Sequence, residues 1–95
     1  MKTNFHMLRE FEYHPENFGW CTEKEVENIV EHFQLKERSN VELQNLRDFV
    51  VMYYADQIEA ARPKGIRSYV MELQDTMSAI TGVIDQEKFE RGMEI

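Results

Sequence analysis

The sequence predicts an all-α fold: a small helical bundle built on a long antiparallel helical hairpin (about 40–62 and 65–89), with a shorter helix over 22–35 and an aromatic-rich segment over 1–21. Three observations carry that reading. Four Gly and two Pro in 95 residues are too few for the turns of an all-β domain. Ile66, Val70, Leu73, Met77, Ile80 and Ile84 are spaced 4, 3, 4, 3 and 4, a heptad-like apolar seam. Thr22-Glu23-Lys24-Glu25 and Ser39-Asn40-Val41-Glu42 each precede a helically spaced apolar pattern and read as capping boxes.

Residues 1–21 leave their conformation open. Phe5, Met7, Phe11 and Tyr13 alternate as in a strand, while Phe5, Leu8 and Glu12 fit a helix less well. Pro15 pushes His14 out of the α region, and Phe18-Gly19-Trp20 reads as a turn that tucks two aromatics inward. Five of the eleven aromatic residues fall in the first 20 positions, which favours a packed lid over a loose tail.

The shorter helix starts from Thr22, buries Val26, Ile29, Val30 and Phe33 on one face, and ends near Leu35, where Lys36 and Arg38 suit the negative end of the dipole. In the next helix Leu43, Leu46, Phe49, Val50, Val51, Tyr53, Tyr54 and Ile58 spread over half the circumference, so it is buried on two sides and central. Pro63 ends it, and Pro63-Lys64-Gly65 makes a tight connection. The last helix carries the seam, with Arg67, Gln74, Asp75, Ser78 and Gly82 on its polar side and Arg91 to Ile95 as a frayed end.

A helix over 40–62 is about 35 Å long, whereas a compact globule of this size has a radius of gyration of about 12 Å. That excess length suggests that a second copy covers part of the seam, a dimer being favoured by symmetry. The competing arrangement packs the seam within one chain. A true coiled coil is disfavoured, because flanking charges are sparse and Glu87 ends the register. No repeat, linker or low-complexity tract interrupts the chain, so 1–95 reads as one domain.

Residue chemistry points away from catalysis. His6, His14 and His32 are never three or four apart, and Ile29 stands where a Glu-x-x-His pair would need its carboxylate, so no metal or cofactor is expected. Cys21 is the lone cysteine; it lies near a helix start but has no base beside it in sequence, and reads as a small apolar side chain. Asp56 with Glu59, and Glu72 with Asp75, project to polar faces, where solvation keeps both pairs ionised.

The longest unbroken apolar run, Phe49 to Ala55, is far short of a membrane span and no apolar leader opens the chain, so a cytoplasmic protein without membrane contact is expected. Net charge is −7, which repels phosphate and argues against direct nucleic-acid binding while drawing in a basic partner.

Two features mark a candidate partner surface. Glu23, Glu27 and Glu31 stack at intervals of four on the outer face of the shorter helix, a like-charge arrangement that a basic partner would relieve. Met52 and Met71 project away from the main apolar arcs, where an adaptable thioether suits a protein contact. The function expected is a small acidic, non-enzymatic protein–protein interaction module, a regulator or inhibitor that occludes its partner's surface. Second comes a structural or assembly subunit that homo-oligomerises through its long helices. A mimic of nucleic-acid charge ranks lower, because 11 basic residues dilute the acidity.

Overall fold

The computed structural model describes residues 3–11 and 22–92, which form four α-helices and no strand. They are α1 (Asn4–Glu10), α2 (Glu23–His32), α3 (Asn40–Ala61) and α4 (Arg67–Glu90), with short 3-10 turns at Leu35–Glu37 and Arg62–Lys64. The aromatic turn at Phe18-Gly19-Trp20, the break at His14-Pro15, and Tyr13 and Cys21 lie outside the described residues.

Local chemistry sets each boundary. Thr22 accepts from the Glu25 amide while the Glu25 carboxylate accepts from the Thr22 amide, and Ser39 and Glu42 repeat that exchange at the start of α3. Each box satisfies two otherwise orphaned donors and contributes about 1 kcal/mol. The shorter helix stops at His32, earlier than the spacing suggests, because Gln34 turns left-handed (φ 53) and the chain tightens into the 3-10 turn that buries Leu35. Pro63 enforces the second 3-10 turn, and Gly65 at φ 71 takes the left-handed position that a side chain would resist.

The N-terminal ambiguity resolves to a helix. Thr3 caps α1 by accepting from the His6 amide at 3.2 Å, and Met7 and Leu8 drop into the core side by side. Phe5 meets Tyr53 edge-on at 5.9 Å, which fastens α1 to α3. Phe11 packs against His32 and Phe33, and the His32 Nε2–H donates to the Met7 carbonyl at 2.7 Å, so α1 and α2 are tied to one another as well.

The core is the α3–α4 hairpin with α1 and α2 laid over one half of it. Leu43, Leu46, Val50, Ile80 and Ile84 are fully enclosed, together with Ile29, Phe33 and Leu35. The wide apolar arc of α3 is used on both sides as its breadth requires, except that Val51 faces solvent. The molecule measures 40 × 26 × 26 Å, its long axis set by the hairpin.

The apolar seam is therefore divided. Ile80 and Ile84 are in the intrachain core, Val70, Leu73 and Met77 are half-buried, and Ile66 is 50% exposed at the hairpin tip. A further correction concerns Arg91, expected in a frayed end. Its guanidinium donates to the Leu35 and Arg38 carbonyls at 2.9 and 2.7 Å and to Asn40 Oδ1 at 3.1 Å, and its Nε donates to Glu87. It clamps the α2–α3 connection to the end of α4.

Candidate functional site

A concavity lies between α2 and the C-terminal half of α4, closed at one end by the 3-10 turn after α2. It is a groove of about 600 Å³. Its apolar lining comes from Val26 and Val30 of α2 and Val83 of α4, positions one helical turn apart on facing stripes. Its rim is acidic: Glu27, Glu31, Glu37, Glu87 and Glu90 surround it, against Lys36 alone. An apolar lining under a carboxylate rim is what a basic amphipathic segment matches.

The acids fall into two kinds. Glu87 is buried and already engaged, accepting from Lys36 Nζ at 2.6 Å and from Arg91 Nε at 3.1 Å. Burial alone would raise its pKa, but the hydrogen bonds and charges of Lys36 and Arg91 outweigh it and hold the carboxyl below the usual glutamate range. The same pairing raises the Lys36 ammonium above its ordinary value, chiefly through the Glu87 hydrogen bond. Glu90 reaches Lys36 more loosely, at 3.4 Å. By contrast, Glu27, Glu31 and Glu37 are exposed, with no ion-pair partner among the described residues. The inner carboxylate is structural, and the outer three are available to an incoming cation.

Of the surface marked by sequence, Glu27 and Glu31 line this groove, while Glu23, though exposed, sits at the first turn of α2 outside it. The two methionines do not converge. Arg47–Asp85 and Gln44–Lys88 fix the antiparallel register, which places Met52 level with Ile80 and Met71 level with Ala61, about 13 Å apart along the axis. Met52 is 55% exposed on the side that also carries Val41, eleven residues and about three turns earlier. Met71 lines a separate hollow of about 350 Å³ at the hairpin tip, with Arg62, Ile66, Arg67 and Val70.

Sequence reasoning missed Lys36, Glu37, Glu87 and Glu90 as groove residues. Their membership depends on bringing positions about 50 apart in sequence together, and the Lys36–Glu87 pairing leaves no periodic trace. No group of three or more metal-ligating side chains occurs among the described residues, and none of their helices is long and apolar enough to cross a membrane. Comparison with protein-family models, with curated proteins and with solved structures finds no match to this chain.

Proposed function

We propose that this protein is a non-enzymatic interaction module that binds the basic surface of another protein and acts by covering it. The observation that supports this is the α2–α4 groove, whose apolar lining is ringed by carboxylates, three of which (Glu27, Glu31 and Glu37) have no ion-pair partner among the described residues. The exposed acids draw a basic partner in, an effect on encounter rate that salt screens. Burial of the partner's apolar side chains against Val26, Val30 and Val83 then holds it. A negative protein of this size occludes its target simply by occupying it, and no reacting group is needed.

The test is affinity capture from the native host with wild-type protein and with Glu23→Lys/Glu27→Lys/Glu31→Lys, whose circular dichroism should match wild type because all three positions are exposed. Basic proteins retained by wild type should be lost from the variant. An unchanged set of captured proteins overturns the reading. A second reading, an assembly subunit joined through the long helices, draws on the hairpin tip, where Ile66, Tyr69 and Met71 are 50%, 44% and 56% exposed.

A further inference from the structure

The hairpin tip is chemically opposite to the groove. Residues 60–71 contain Arg62, Lys64 and Arg67 and no acid, in a chain whose net charge is −7. All three cations are exposed and none has an ion-pair partner among the described residues. Among them stand Ile66 and Met71, half or more exposed, beside the tip hollow. One end of the molecule thus presents apolar side chains ringed by cations, and the other an apolar groove ringed by carboxylates.

The two ends cannot meet within one molecule. Ile66 and Gln86 are separated by 20 residues of continuous helix, about 30 Å along α4. We infer that the hairpin tip of one copy docks in the α2–α4 groove of a second copy, Arg62, Lys64 and Arg67 facing Glu27, Glu31 and Glu37 while Ile66 lies against the groove's valines. The second copy is the occupant favoured here because charge and apolar character match at both surfaces, exposed cations beside Ile66 and Met71 on one and exposed carboxylates around valines on the other. The smallest closed arrangement is an antiparallel pair in which the contact is made twice.

This goes beyond the proposed function and has a consequence for it: self-association hides the groove, so a basic partner and a second copy compete for the same site.

Sedimentation velocity over a concentration series tests the contact. Wild type should associate at low salt and return to monomer near 1 M NaCl, where the Debye length is about 3 Å. The tip-reversed variant Arg62→Glu/Lys64→Glu/Arg67→Glu and the groove-reversed variant Glu27→Lys/Glu31→Lys/Glu37→Lys should each self-associate at least about tenfold more weakly. An equimolar mixture of the two should recover the association, since each then offers the other a complementary charge. The altered positions are solvent-exposed, and circular dichroism verifies the fold of each variant. A wild type that is monomeric at every concentration, association that survives either reversal, or a mixture that stays monomeric would each overturn the inference. None of these outcomes bears on capture of a foreign basic protein, so the two readings fail separately.

Discussion

At the scale of single residues, polar side chains do work usually assigned to the apolar core. Arg91 ties the Leu35, Lys36 and Arg38 carbonyls and Asn40 Oδ1 to the end of α4, and Glu87 holds both Arg91 and Lys36. Arg38 lies almost wholly buried, donating to the Phe33 carbonyl at 2.7 Å and to the Met7 sulfur at 3.2 Å, and burial lowers its pKa. Such groups are costly to orphan, so removing one partner exposes the others' desolvation cost. The Glu87 carboxyl has a depressed folded-state pKa, so its contribution is fully present above the ordinary glutamate value of about 4.3 and is lost as pH falls through the lower folded value. Glu87→Gln should therefore be less stable than wild type at pH 7 and close to it near pH 3, as read by urea midpoints. An equal gap at both values would mean that the carboxylate's charge contributes nothing.

At the scale of elements, legibility followed how local the cause is. The α2 and α3 starts were legible because both members of each capping box lie within four residues, and the α3 stop because Pro63 acts on its own turn. α1 was not legible: over Asn4–Glu10 a period of two and a period of 3.6 are hard to separate, and only Thr3 offered a cap signal, with His6 rather than an acid at the reciprocal position. The groove was half legible. Glu27 and Glu31 stood out by their spacing, but Glu87 and Glu90 joined them only through a tertiary approach. The seam was legible as a stripe, and its coverage was not, because periodicity says which side chains share a face and nothing about where the neighbouring helices end. That division gives a graded expectation. Ile84→Ala, at a fully buried position, should cost about 2–5 kcal/mol, and Ile66→Ala at the half-exposed tip less than about 0.5. Urea denaturation at low protein concentration measures both. A flat profile along the seam would show that the tip is covered even in dilute solution.

At the scale of the molecule, the hairpin is longer than the helices laid upon it, and length sorts both stability and charge. α1 and α2 cover the half of the hairpin that holds Leu43, Leu46, Ile80 and Ile84, so opening there requires breaking the whole core. Near the tip only two helices support one another, and local opening needs far less. Amide hydrogen exchange should accordingly be slowest around residues 43–50 and 80–88 and fastest over 62–71. The concentration dependence of that pattern is the more telling part. If cationic tip and acidic groove meet between copies, raising the protein concentration should slow exchange over 62–71 while leaving the already protected core unchanged, and added salt should reverse it. The tip is the thinnest and the most basic part of an acidic protein, so protection that appears there first ties assembly to charge. Slowing confined to the Met52 side of α3 would instead assign assembly to the uncovered outer face of the hairpin.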